Sequence, residues 1–153
     1  MAPFTAEVSW LSYLSIALMS ALKFMVGVGM SMALKLSFWE QFLSTTVGGI
    51  LGVWLFTYFG DKIRAWIAQR RGRPAHFTPS EKWARLWAKY GLWGVAFLTP
   101  PILSPPIGTA IALAFGSPRH LIGQRMTIAM VCWGLFFASV WQTVRPLLLQ
   151  VLP

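Results

Sequence analysis

Phe97-Leu-Thr-Pro-Pro-Ile-Leu-Ser-Pro-Pro-Ile-Gly-Thr-Ala110, FLTPPILSPPIGTA, is the stretch on which the reading of the whole chain turns. It lies at the centre of residues 91–116, which carry no charged side chain. About 20 apolar residues suffice to cross a bilayer as a helix. Yet Pro100, Pro101, Pro105 and Pro106 fall in the middle. Each proline removes a backbone donor and disfavours helix at the residue before it. A lipid-exposed helix cannot absorb four such breaks, because hydrocarbon offers nothing to the freed carbonyls. The segment is therefore either outside the membrane or a special membrane element.

Composition favours the membrane. Of 153 residues, 56% are hydrophobic, 15% aromatic and only 11% charged, and mean hydropathy is +0.60. A soluble domain carries about 25% charged residues. The net charge of +9 would also suit a nucleic-acid binder. However, the basic residues crowd beside apolar runs and the nine Trp sit largely at run edges, the pattern of a multi-pass membrane protein with basic loops. No nucleic-acid partner is expected. The N-terminal MAPFTAEVSW lacks the basic region and cleavage site of a signal peptide. The single cysteine, Cys132, reads as a buried small hydrophobe.

Four apolar segments cover residues 11–34, 38–59, 91–116 and 126–152. Ten of the thirteen basic residues flank the proline segment: Lys62, Arg64, Arg70, Arg71, Arg73, Lys82, Arg85 and Lys89 before it, Arg119 and Arg125 after it. A spanning helix would put Arg119 and Arg125 on the wrong side for the positive-inside tendency. A re-entrant hairpin that turns at the prolines keeps all ten cytoplasmic. Its arms, 91–98 and 107–116, would be about 12 and 15 Å long at 1.5 Å per residue, each near half of a ~30 Å hydrocarbon core.

The polar stretch 61–90 reads as a basic cytoplasmic linker ending in an interfacial amphipathic helix. Thr78 and Glu81 suggest a capping box, with Pro79 at the first helical position. Trp83, Leu86, Trp87 and Tyr90 share one face, and Lys82, Arg85 and Lys89 another. The alternative is that this helix simply extends the third apolar segment. A shift of 80 residues sets Ser37 on Ser117, Phe42 on Ile122 and Gly52 on Cys132. It suggests one all-α membrane domain of two inverted repeats, about 11–60 and 91–150, each a re-entrant hairpin followed by a transmembrane helix. Lys23 and the Gly27/Gly29 pair would lie near the tip of the first hairpin. Gly48 and Gly52 have the GxxxG spacing that permits close helix packing.

The segment KYGLWGVAFLTPPILSPPIGTAIALAFGSPRHLI (89–122) resembles the second hairpin of the DedA/VTT membrane-protein superfamily. ALKFMVGVGMSMALKLSFWEQFLSTTVGGILGVWLF (21–56) looks closer still to the related group called small multidrug export proteins. The resemblance covers about 21–60 and 89–140. It implies paired re-entrant hairpins, a homodimer, the bacterial cytoplasmic (inner) membrane, and movement of lipid-linked or amphiphilic substrates. The arginines that mark the family's second tip are missing: Thr99, Ser104 and Thr109 stand there instead, and of the family's acidic pair only Glu40 is suitably placed.

Candidate site residues follow from depth and charge. Lys23 is the only charge between Glu7 and Lys35. A lysine at bilayer depth costs about 2.5–3.5 kcal/mol on insertion scales, so it either serves an anionic group or snorkels. Glu40 is a candidate for ion coupling or for neutralising Lys23 or Lys35; the alternative is a plain interfacial position beside Trp39. The half-helix after Pro106 would point its positive end at the tip, where Ser104 and Thr109 either cradle an anion or cap the helix. Thr99 completes the expected substrate set, and Pro100, Pro101, Pro105, Pro106 and Gly108 form its structural tip. His76 and His120 have no metal-ligand or catalytic companions, so neither an enzyme nor a cofactor or metal is expected. Two function classes remain: a small transporter or amphiphile translocase with a midplane site, and a non-catalytic assembly subunit of a membrane complex.

Overall fold

The computed structural model describes residues 10–71 and 80–151, and they form six α-helices: α1 (Trp10–Leu22), α2 (Phe24–Ala33), α3 (Phe38–Arg71), α4 (Glu81–Leu98), α5 (Pro105–Ala114) and α6 (Arg119–Val151). Two helices are long and apolar enough to cross a membrane, over Phe38–Gly60 of α3 and Arg119–Leu147 of α6. Helix α3 does not stop where its apolar run ends. It continues to Arg71, so the first part of the expected linker is helical.

Side-chain contacts fix how the helices run. Thr46 meets Gly134, Gly49 meets Met130, and the Trp54 indole donates to Thr127 Oγ1 over 3.2 Å. Numbers rising along α3 pair with numbers falling along α6, so the two long helices are antiparallel. Helix α1 runs parallel to α3: Tyr13 bonds Glu40, Ala17 lies on Gly48, and Ala21 lies on Gly52. At Gly48 and Gly52 a Cβ would strike the α1 backbone itself, so the GxxxG spacing serves backbone-to-backbone packing, as expected. Helix α4 likewise runs parallel to α6, with Trp93 under Arg125 and the Phe97 carbonyl accepting from the Trp133 indole at 2.9 Å.

The chain reverses at Lys23, whose backbone is extended (φ −149°, ψ 102°). Reversal follows from Gly27, where a Cβ would strike the Ser20 hydroxyl and approach the Ile16 carbonyl of α1. The tip was expected near Lys23 and the Gly27/Gly29 pair; the turn falls at Lys23, and both glycines are helical. Gly27 is needed for close approach to α1, and Gly29 faces outward. Lys23 alone makes the turn, its carbonyl accepting from Val26 and Gly27.

The same backbone pattern recurs 81 residues later. Ser104 is extended, and its carbonyl accepts from Ile107 and Gly108, as that of Lys23 does from Val26 and Gly27. Helices α2 and α5 each have 10 residues. Each ends in a Schellman cap: Leu36 N–H donates to Ser31 and Ser117 N–H to Ala112, both at 3.1 Å, around a left-handed residue, Lys35 (φ 54°) or Gly116 (φ 76°). Gln41 then bonds back to Ser37, and Ile122 to Pro118. In this backbone pattern Ser37 corresponds to Pro118, where an offset of 80 had set Ser117. The chemical identity of two serines misaligned the pair by one residue.

Within α4 the helix breaks at Gly91 (φ 58°, ψ −152°), a conformation open to glycine. Residues 81–90 are therefore a separate arm and not a straight extension of 92–98. Its cap is Ser80, without a side-chain bond; Thr78 and Pro79, and the side chains of Trp83 and Leu86, lie outside the described residues. Trp87 does not face outward as expected. It stacks on Phe115, ring centroids 4.7 Å apart, and docks the arm onto the cap of α5. Cys132 is exposed rather than buried. The core is built around Phe24, fully buried against Gly49 and Phe137, with Val53, Ile111, Ile122 and Met126.

Candidate functional site

The proline segment forms turns over residues 99–103, followed by α5 with Pro105 and Pro106 in its first turn. A free helix N-terminus attracts anions through its unpaired N–H groups. Here the first two residues are prolines and have none. The next two, Ile107 and Gly108, both donate to the Ser104 carbonyl, at 3.0 and 2.9 Å. The expected set of free donors is therefore not present at this end of α5. Ser104 does not cap the helix through its side chain either.

Thr99 and Thr109 are buried, and both hydroxyls turn back onto their own helices. Thr99 Oγ1 donates to Val95 O at 2.7 Å, and Thr109 Oγ1 to Pro105 O at 2.8 Å. Gly108 abuts the Thr99 side chain so closely that a Cβ would collide with it. The segment is thus brought together as packing, with Thr99, Gly108 and Thr109 at its centre.

Lys23 is not part of this group. Ala21 lies against Gly52, so Lys23 stands beyond Gly52 along α3, whereas Phe97 bonds Trp133 beside the Thr46–Gly134 contact. The two levels differ by some seven residues of α3, about 10 Å. Lys23 is exposed and near the Gly60 end of the apolar run, a position suited to snorkelling.

No family model, curated protein or solved structure matches this chain. Its function has to be read from its own geometry.

Glu40 is committed to structure. Its Oε2 accepts from the Ser37 amide at 2.9 Å and the Ser37 hydroxyl at 2.8 Å, and its Oε1 from the Tyr13 hydroxyl at 2.7 Å. Ser37-Phe-Trp-Glu40 has the S-x-x-E spacing of a capping box, and Glu40 supplies its acidic half by accepting from the Ser37 amide, a signal present in the sequence but passed over there. Among the described residues Glu40 pairs with neither Lys23 nor Lys35.

Two further features escaped the sequence reading. Gln41 is 1% exposed and both of its amide atoms lack partners; the hydroxyls of Ser20 and Thr46 are buried and unpartnered as well. Burial of a single glutamine inside an apolar run has no periodic signature. The second is a pair of open cavities that both border Phe97, the larger on α4 and the smaller between α4 and α6. Tyr90, Trp93, Gly94, Phe97 and Leu98 line a cavity of about 480 Å³. Phe97 also borders a second cavity of about 220 Å³, with Cys132, Trp133 and Phe136. The Arg125 guanidinium lies 5.2 Å from the Trp93 ring centre and the Lys89 ammonium 5.1 Å from that of Tyr90. The sequence reading had placed Lys89 on the basic face of the interfacial helix and counted Arg125 only as a flanking charge. Among the described residues no cluster of three His, Cys, Asp or Glu side chains is placed to hold a metal.

Proposed function

We propose that the protein is a multi-pass integral membrane protein of DedA-like plan that moves an amphiphile between leaflets. Membrane residence is supported by the outer surface. Leu11, Leu14, Leu18 and Leu22 of α1, Leu43, Val47, Leu51 and Leu55 of α3, and Ile128, Phe136 and Val144 of α6 are all exposed. Soluble monomers rarely present contiguous apolar surface of this extent. The cytoplasmic membrane is the compartment this reading assigns.

The observation that carries the transport reading is the recurrence at 81 residues combined with antiparallel α3 and α6. Two like units related by inversion, each a re-entrant helix pair followed by a spanning helix, is the plan of many alternating-access carriers. In this reading the pair α1/α2 enters from the Glu40 side and residues 92–114 from the basic side. A homodimer would supply the protein surface that four short arms leave uncovered.

One observation favours the second reading, an assembly subunit without a substrate. The hydroxyls of Thr99 and Thr109 are already bonded within their own helices, which describes a dry packing element. Reconstitution of the purified chain in liposomes with fluorescent lipid analogues separates the two. Accelerated flip supports translocation; flip at the protein-free rate leaves the assembly reading. Topology is tested first, with single cysteines at Ser80 and Ser117 in a Cys132→Ala background. Equal labelling by an impermeant reagent fits re-entry; opposite labelling excludes it.

A further inference from the structure

We infer that the groove between α4 and α6 is a docking site for one anionic glycerophospholipid of the basic-side leaflet. This rests on membrane residence and not on transport. Phe97 borders both cavities, the larger lying on α4 and the smaller between α4 and α6. The larger, about 480 Å³, falls within the ~300–1,000 Å³ usual for ligand sites. Its wall is apolar and aromatic, and Trp93, Phe97 and Phe136 are open to the outside. Its length selects the occupant. From Arg125, whose guanidinium lies over Trp93, to Phe136 of the smaller cavity, α6 rises about 16 Å, close to half of a ~30 Å hydrocarbon core. An acyl chain of one leaflet fits that depth.

Charge selects the headgroup. Lys89 and Arg125 lie over the rings of Tyr90 and Trp93 at the same end of the groove. Ring faces attract these cations and hold them at the mouth of the groove without neutralising them. Among the described residues no carboxylate pairs with either. A phosphodiester at the headgroup level would meet both cations while its chain lies on Trp93, Phe97 and Cys132. The geometry also explains why the groove exists. With the 81-residue offset, Trp133 stands where the first half has Gly52, and its indole props α4 away from α6 while bonding the Phe97 carbonyl.

The test is native mass spectrometry of the full chain released from bilayers of equal phosphatidylglycerol and phosphatidylcholine. One phosphatidylglycerol should be retained in preference to phosphatidylcholine by roughly five-fold, the order expected for a basic side chain near an anionic surface. Arg125→Gln should reduce the preference and the Arg125→Gln/Lys89→Gln pair should abolish it. Cys132→Trp, which fills the groove floor at an exposed position, should lose the bound lipid with the charges intact. Should Arg125→Gln lose helicity, Lys89→Gln and Cys132→Trp carry the test alone. Equal retention of both lipids, retention that survives Cys132→Trp, or oxidative cross-linking of Cys132 between two copies would overturn the proposal, the last because a second chain then covers the face. Failure of the protein to enter bilayers would remove the membrane reading together with it.

Discussion

The Tyr13 hydroxyl donates to Glu40 Oε1 across 2.7 Å and ties the first turn of α1 to the first turn of α3. The other oxygen of the same carboxylate accepts from the Ser37 amide and hydroxyl. One acid therefore ties together two helix ends, the start of α1 and the start of α3. Glu40→Ala should lower stability by about 1–2 kcal/mol, the loss typical of a helix cap. Tyr13→Phe should cost about 1 kcal/mol in the native chain and close to nothing in the Glu40→Ala background. Thermal unfolding in detergent of the four proteins measures this coupling. Additive losses would mean that the Tyr13 bond does not contribute.

Gly48→Ala and Gly52→Ala each place a methyl into the backbone of α1 at Ala17 or Ala21. Neither helix can yield without losing the whole seam, so a loss of about 1–3 kcal/mol is expected for each. Gly29→Ala, with nothing within 4 Å of the new methyl, should be neutral or slightly stabilising. Equal melting temperatures for Gly29→Ala and Gly48→Ala would refute the seam.

Lys35 holds the left-handed position that Gly116 holds in the second half. A side chain there costs about 1–2 kcal/mol, partly offset by the entropy a glycine loses on folding. Lys35→Gly should therefore raise stability by up to about 1 kcal/mol, whereas Gly116→Ala should lower it by about 1–2 kcal/mol. Parallel melting curves of the two variants check the sign, and the opposite ordering would contradict the equivalence of the two caps.

Thr99→Val and Thr109→Val remove hydroxyls that bond only their own helices. Removing both ends of nothing else, each should change stability by less than about 1 kcal/mol. Lys23→Met should also leave stability unchanged, because Lys23 is exposed and lacks a described carboxylate partner. If liposome flip is observed and any of the three substitutions abolishes it at unchanged stability, that residue serves the substrate, and the packing account of it is wrong.

Much of the architecture was legible. Four prolines in an uncharged run announced a break, because proline acts locally on the backbone. The arm before it was read from Thr78, Pro79 and Glu81, with a plain extension of the third apolar segment left open, and the break at Gly91 was not foreseen. The first reversal was placed near Lys23 and the Gly27/Gly29 pair, but which of these residues turns was not legible. Lys23 is neither glycine nor proline, and it turns because packing of Gly27 on Ser20 makes the reversed pair better than a continuous helix. Site residues fared worse. Lys23, Glu40, Ser104 and Thr109 were chosen for their chemistry, yet chemistry does not say where a hydroxyl or carboxylate finds its partner. Thr109 finds it four residues back, and Glu40 finds it in Ser37 and Tyr13. The groove depends on one indole, Trp133, holding two helices apart, and only tertiary geometry reveals that.

The contrast between Gly52 and Trp133 has a mechanical consequence. In the first half, α1 and α3 touch backbone to backbone over Gly48 and Gly52 and must move as a single stiff plank. In the second half a bulky ring and one hydrogen bond separate α4 from α6, and Gly91 hinges the arm beyond it. Strain applied to the molecule will therefore concentrate at the α4–α6 seam. The α1–α3 seam thus serves as the fixed frame and the α4–α6 seam as the spring.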